Sequence, residues 1–309
     1  MTEGRQVIPA LVNVASGSAD AARKALDANP AFEVHAVQPG EIEAEVTAMV
    51  AAGSPRILVA GGDGTIATAA AVLMKNPAEL SILPGGTLNH FARDLGIATD
   101  STVALEQAVA PETRGVDVGT VGGRIFLNTS SVGAYVYFVR AREYFEKHFG
   151  YRVASAVAAL RVLFQFRLLG VELEVDGTKR LYRTPVVFIG VGERELQLPT
   201  LGSRVTGGRR GLHVLVVRGR SRARLFAIGM SAVARGVKAT ARTPELDSFL
   251  VDRCTITTRR RLTVAVDGEL VTLSPPFEYT LVRDALTVVC PPTAPVASAP
   301  HDGERPSGS

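Results

Sequence analysis

The chain has only two cysteines, Cys254 and Cys290, and their separation fits no metal site. A reduced, cytosolic setting is the expectation. Its five histidines, His35, His90, His148, His213 and His301, also lack metal-ligand spacing. No stretch approaches the ~18 uninterrupted apolar residues of a membrane span, although 46% of the residues are hydrophobic. Arg161 breaks the longest candidate, Val153 to Phe164. The first residues lack the basic-then-apolar order of a secretion signal. No Gly-x-x-x-x-Gly-Lys run and no Gly-x-Gly-x-x-Gly fingerprint occurs, which counts against P-loop and ordinary Rossmann readings. What remains is a 309-residue chain able to bury one large core or two smaller ones.

Two glycine-rich turns stand out against these absences. Gly61-Gly62-Asp63-Gly64-Thr65 follows the apolar run Ile57 to Ala60 and precedes a helical stretch, Ile66 to Lys75. Glycines let phosphate oxygens approach backbone amides, and a helix N-terminus adds free N–H groups and partial positive charge. Asp63 can hold a magnesium ion directly or through water, since hard cations prefer oxygen ligands. Thr65 can cap the helix or donate to a phosphate. Pro84-Gly85-Gly86-Thr87 repeats the pattern between a strand, Ser81 to Leu83, and a helix from Leu88 to Leu95 that Gly96 closes. Both turns fall at C-terminal ends of expected parallel strands, where open α/β folds bind ligands.

Gly-Gly-Asp-Gly-Thr followed by Leu-Pro-Gly-Gly-Thr-Leu-Asn-His-Phe-Ala-Arg-Asp-Leu-Gly-Ile resembles the diacylglycerol kinase catalytic domain family, which includes bacterial lipid kinases and sphingosine kinases and is related to NAD kinases. Asn13 to Gly17 is similar to the family's first nucleotide loop, with Val14 where the family has proline. Val116-Asp117-Val118-Gly119 and Asn128 to Gly133 resemble its domain crossover, and Val266-Asp267-Gly268-Glu269 its late Asp-Gly-Glu motif. The resemblance implies ATP and magnesium as cofactors. It implies a nucleotide site built from Asn13, Ser16, Gly17, Gly61, Gly62, Asp63, Gly64, Thr65, Gly86, Thr87 and Asn89. Asp63 and Asp117 would be the metal-side carboxylates, and Glu269 the general base beside Asp63. The residues themselves leave other roles open. Asp267-Gly268 is also a hairpin-turn signal, Asp117 a turn residue, and Asn89 a helix cap. Several bacterial members bind a structural magnesium through an Asp-Gly-Leu-Leu-Asp segment. The matching stretch, Gly207 to His213, has no carboxylate, so that ion is expected to be absent.

The implied fold is α/β plus mainly β. A Rossmann-like parallel α/β nucleotide domain is expected over residues 1–114, completed by about 283–292. A β-rich antiparallel sandwich would take the lipid substrate over 115–282, and 293–309 would be a disordered tail. Strand-like runs are Gly123 to Asn128, Val171 to Val175, Val186 to Gly190, Leu212 to Arg218, Cys254 to Thr258, Leu262 to Val266 and Phe277 to Val282. Helical stretches are Tyr135 to His148, Val153 to Arg167 and Arg224 to Gly236. The aromatic run from Tyr135 to Tyr151 reads as core and interface packing, part of which can line an acyl-chain groove. Residues 204–261 hold 14 Arg/Lys against 3 Asp/Glu, whereas the whole chain holds 34 and 30. Such a segment suits an anionic membrane surface. A solvated basic face is the plain alternative. Nucleic acid is not expected, because Arg218 to Arg224 carries no interleaved aromatics. The expected protein is a cytoplasmic lipid kinase of phospholipid metabolism, peripherally associated with membrane, and the reading allows a homodimer. Two rivals remain: a kinase of a soluble hydroxyl acceptor, as NAD kinases are, and a nucleotide-binding regulator without catalysis.

Overall fold

A computed structural model of the chain describes residues 7–133, 168–195, 204–205, 207–218 and 246–291. Its first half alternates strands and helices: β1 (Ile8–Asn13), α1 (Ala19–Asp27), β2 (Phe32–Val37), α2 (Ile42–Ala51), β3 (Arg56–Gly61), α3 (Asp63–Leu73), β4 (Glu79–Pro84), α4 (His90–Asp94) and α5 (Ser101–Ala108). The strands are parallel in the order β2-β1-β3-β4. Both faces of this sheet are covered, so β1 and β3 are apolar at nearly every position. Alternation sends Leu11, Ile57 and Val59 against α2, α3 and α4, with Val46, Ile66 and Phe91. The intervening Ala10, Val12, Leu58 and Ala60 meet Leu26 of α1 and Leu105 of α5.

The second half is all strand among the described residues: β5 (Thr113–Val121), β6 (Arg124–Phe126), β7 (Thr129–Gly133), β8 (Leu169–Val175), β9 (Thr178–Thr184), β10 (Val186–Val191), β11 (Leu212–Val217), β12 (Leu246–Val251), β13 (Arg253–Thr257), β14 (Leu262–Val266), β15 (Glu269–Leu273) and β16 (Phe277–Val289). Six of them form an antiparallel sheet in the order β12-β11-β10-β7-β14-β15. It packs face to face on β8, β13 and the start of β16 over a core that includes Phe126, Val132, Ile189, Val214, Ile256 and Tyr279. The α/β unit followed by an antiparallel sandwich is the expected fold class.

Two features differ from the sequence-based expectation. Strands β5, β7, β9 and β12 were not among the expected runs; β5 and β7 read only as the domain crossover, and β9 is mostly exposed and polar and shows no apolar run. The run Phe277 to Val282 and the stretch 283–292, expected to complete the first unit, are not separate. Strand β16 joins them through Val289; it pairs antiparallel with β5 and β13 and then runs parallel to β4 at Val288 and Leu80. A register shift between Val282 and Leu286, with Asp284 at φ 47°, lets one strand serve both units. The expected helices at 135–148, 153–167 and 224–236, the aromatic run, Arg220, Arg222, Arg224 and the tail 293–309 lie outside the described residues.

Candidate active site

The helix of the first glycine turn begins earlier than the apolar pattern suggests. Gly62 is the N-cap of α3, so Asp63, Gly64 and Thr65 form its first turn. Thr65 does not cap. It is buried, and its hydroxyl accepts from Asn13 Nδ2 at 2.8 Å, which ties the end of β1 to the start of α3. Asn13 Oδ1 accepts in turn from the Ala15 amide at 3.0 Å. The first N–H groups of α3 have no intrahelical acceptor and lie at the positive end of its dipole.

The two glycine turns touch. Gly85 N–H donates to Gly61 O at 2.8 Å. A Cβ on Gly86 would stand 2.8 Å from Gly62 Cα, closer than real Cβ contacts come. Side chains are therefore excluded where the turns meet, independently of any ligand. Ser16 and Ser18 hydroxyls both donate to Gly85 O at 2.9 Å and pin the second turn to the first nucleotide loop. Asn89 has φ 49° and exchanges two 2.8 Å bonds with Gly86, so it braces this turn and does not cap α4. Asp63 takes the capping role. Its oxygens accept from the His90 and Phe91 amides, each at 3.2 Å.

The hairpin between β14 and β15 supplies the other wall. Asp267 (φ 45°) and Gly268 (φ 88°) form its two-residue turn, both in the left-handed region. The Asp267 carboxylate accepts from the amides of Leu127, Asn128 and Thr129 at 2.6, 2.9 and 2.9 Å. Burial pushes this carboxyl above the usual range. The three amides oppose that shift, and the nearby charge of Asp63 adds to it. Glu269 leaves the turn exposed and directed at α3: a Cβ on Gly64 would sit 3.5 Å from Glu269 Oε1. The Asp267–Gly268 turn and the Glu269 carboxylate that faces α3 therefore belong to one hairpin.

A cleft of about 610 Å³ opens between these walls. From the sequence-derived set, Asn13, Ser16 and Gly17 line one side, Gly62, Gly64, Thr65, Gly86 and Thr87 the floor, and Glu269 the far side. Gly61, Asp63 and Asn89 are not among the lining residues and brace the turns as described. Asp117 stands elsewhere. It is buried, and Arg210 donates to both of its oxygens while the Asp284 amide donates at 3.0 Å. Burial alone would push Asp117 up; Arg210, the Asp284 amide and Arg283 more than offset it and hold the carboxyl below its usual range. Arg210 also reaches Asp284 at 2.8 Å.

Sequence reasoning missed Ser18, Pro39, Ile42 and Thr68, which also line the cleft, as does Gly85 of the second glycine turn. Ser18 had a signal, since Ser-Gly-Ser repeats the hydroxyl of Ser16 two residues on. Pro39 and Ile42 reach the cleft through the β2–α2 connection, which carries no nucleotide-loop pattern. No group of three or more His, Cys, Asp or Glu able to hold a metal occurs among the described residues. None of their helices is long and apolar enough to cross a membrane.

Residues 9–121 match the family model described as diacylglycerol kinase catalytic domain. The match takes in both glycine turns, the Asn13 loop and Asp117, and ends before the Asp267–Glu269 hairpin. Two curated relatives are similar in sequence, each named "Probable lipid kinase YegS-like". The one from Pseudomonas fluorescens Pf0-1 is 41% identical over 98 residues, 31% of this chain and 32% of its own length. The one from Pseudomonas syringae pv. tomato DC3000 is 42% identical over 99 residues, again 31% and 32%. The chain thus spans about a third of the length of the curated relatives it matches. A solved diacylglycerol kinase structure from Bacillus anthracis Sterne superposes with a TM-score of 0.67 at 18% identity, covering 93% of this chain and 97% of that one. That likeness extends the shared fold beyond the catalytic-domain match and through the antiparallel unit.

Proposed function

We propose that this protein is an ATP- and magnesium-dependent lipid kinase that transfers the γ-phosphate to a hydroxyl of diacylglycerol or a related lipid. The observation that carries the proposal is Glu269. A carboxylate from the far hairpin faces the first turn of α3 across a cleft floored by two glycine turns. Phosphoryl transfer asks for a phosphate cradle, a cation and an acceptor for the hydroxyl proton. The first-turn amides of α3 and the open space over Gly17 fit a nucleotide phosphate chain. Each Asp63 oxygen accepts one amide, and a carboxylate has about four lone-pair sites, so capacity for a magnesium ion remains. The ion would be held by Asp63 together with phosphate oxygens and water, as magnesium usually is, and would neutralise phosphate charge there. Glu269 would take the proton of the lipid hydroxyl as it attacks.

The names of the Pseudomonas relatives favour a lipid acceptor over a soluble one. The basic stretch 204–261 favours work at an anionic membrane surface, although Arg218 is spent on Asp247 at 2.6 Å. The test is transfer from radiolabelled ATP to a panel of diacylglycerol, other hydroxyl-bearing lipids and NAD, with and without magnesium. Label in a lipid, only with magnesium, is the expected result. Label in NAD alone moves the acceptor to the soluble class, and nucleotide binding without label in any acceptor moves the protein to the regulators.

A further inference from the structure

Arg194 is almost wholly buried, with 3% of its surface exposed, between the α/β unit and the sandwich. Among the described residues its guanidinium reaches three acceptors, far apart in the chain. One nitrogen donates to Asp94 Oδ2 at 2.9 Å, at the end of α4. The other donates to Asn128 O at 2.9 Å and Val191 O at 2.7 Å. Its backbone N–H donates to His213 Nδ1 at 2.8 Å, and the far side of that imidazole meets Ser248 Oγ, which anchors Arg194 in β11 and β12. Burial pulls the guanidinium down to about 10, and the Asp94 charge opposes that pull. Gly190 makes room for its stem: a Cβ there would lie 2.5 Å from Arg194 Cγ.

Both ends of this contact lead to the cleft. Helix α4 is held at its start by Asp63 and at its end by Arg194, so the arginine steadies the helix that the Asp63 carboxylate caps. Asn128, whose carbonyl Arg194 holds, gives its amide to Asp267, flanked by the amides of Leu127 and Thr129. Asp267 fixes the turn from which Glu269 emerges toward Gly64. We propose that Arg194 is a positioning residue, which sets Glu269 against the phosphate-binding turn by joining Asp94 of one unit to the 127–129 amides of the other. The proposal rests on the reading of Glu269 as general base. A guanidinium suits the task because its rigid fork serves several acceptors at once, whereas a lysine ammonium is a single flexible point.

The experiment is a double-variant cycle in the full-length protein, with lipid phosphorylation and amide hydrogen exchange as readouts. Arg194→Lys keeps the charge and loses the fork. It should lower kcat by about ten- to a hundredfold through misplacement of the base, with KM for ATP within about twofold. In a Glu269→Gln background the same substitution should change kcat less than about twofold, because the group it positions is already gone. An equal loss in both backgrounds, or no loss in either, overturns the proposal. A Glu269→Gln protein with undiminished turnover overturns the base assignment itself and the proposal with it. Exchange gives a readout that needs no activity: the amides of Leu127, Asn128 and Thr129 should exchange at least about tenfold faster in Arg194→Lys while the β1–β4 sheet keeps its protection. Unchanged exchange at those three amides also overturns it. If Arg194→Lys does not fold, Asp94→Asn probes the same link from α4, with the same expected and overturning outcomes.

Discussion

The cleft and the β5–β16 bulge hold their carboxylates in opposite ways. At the cleft, Asp63 and Asp267 are held by backbone amides, two for the first and three for the second. At the β5–β16 bulge, Asp117 is held by the Arg210 guanidinium, which also bonds Asp284. An amide positions a carboxylate without cancelling its charge; a guanidinium does both. Among the described residues the two cleft carboxylates are thus fixed in place by amides, with no guanidinium or ammonium bonded to them. At the bulge one guanidinium spans two carboxylates and ties β5 to β16.

The largest expected effect breaks the cleft side of this comparison. Asp63→Asn removes charge but little volume, and should bring lipid phosphorylation at saturating magnesium down to background. The same change weakens one cap on α4 and should cost only about 1 kcal/mol in stability. Loss of activity with a near-normal unfolding transition supports a charge role. Wild-type turnover in the variant would leave Asp63 as a cap and nothing more. Glu269→Gln comes next, with turnover reduced by about 10²–10⁴ and ATP affinity nearly unchanged. Collapse of nucleotide binding in that variant would mean that the hairpin shapes the cleft and does no proton chemistry.

The cleft side was more legible in the sequence than the bulge. Strand-turn-helix signals at Gly61 to Thr65 and Pro84 to Thr87 are local, and glycine announces where backbones approach. The Asp-Gly turn of the hairpin is local as well. What escaped the sequence depends on residues far apart in the chain. Arg194 reads as one arginine in a polar stretch, and only the fold brings Asp94 and Asn128 to it. Asp117 read as a metal-side carboxylate because its partner, Arg210, lies 93 residues away. The starts of helices were misread for a related reason. Apolar periodicity begins at Ile66, but the helix begins at Asp63, where the residues are chosen for the cleft and not for the core.

A third effect concerns the amides around Asp267. Asp267→Ala leaves the N–H groups of Leu127, Asn128 and Thr129 without their acceptor at a domain junction. Unsatisfied buried donors cost about 1–3 kcal/mol each before relaxation or water entry. A net loss of about 3 kcal/mol in urea denaturation is expected, with larger scatter in the crossover amides than in the parallel sheet. A loss below about 0.5 kcal/mol, the usual level for a surface substitution, would show that the crossover does not depend on this carboxylate.

The smallest effect sharpens the comparison most, because the two junctions should respond to acid with opposite signs. Asp117 has a depressed pKa in the folded protein, with burial outweighed by Arg210, the Asp284 amide and Arg283. Its ionised form binds fewer protons than the unfolded chain, so its contribution to stability is present above the unfolded value of about 4 and fades as pH falls through the folded one. Asp267 has a raised pKa, with burial outweighing its three amides. Its contribution is full below about pH 4 and fades as pH rises through its folded value. Stability measured by urea denaturation from pH 3 to 7 in wild type, Asp117→Asn and Asp267→Asn separates the two. The gap between wild type and Asp117→Asn should shrink as the solution is acidified. The gap to Asp267→Asn should shrink as it is made more alkaline. Two gaps that move in the same direction would mean that the three amides outweigh burial at Asp267. The cleft carboxylate would then be as firmly ionised as the one clamped by arginine, and the contrast between the junctions would lie in geometry alone.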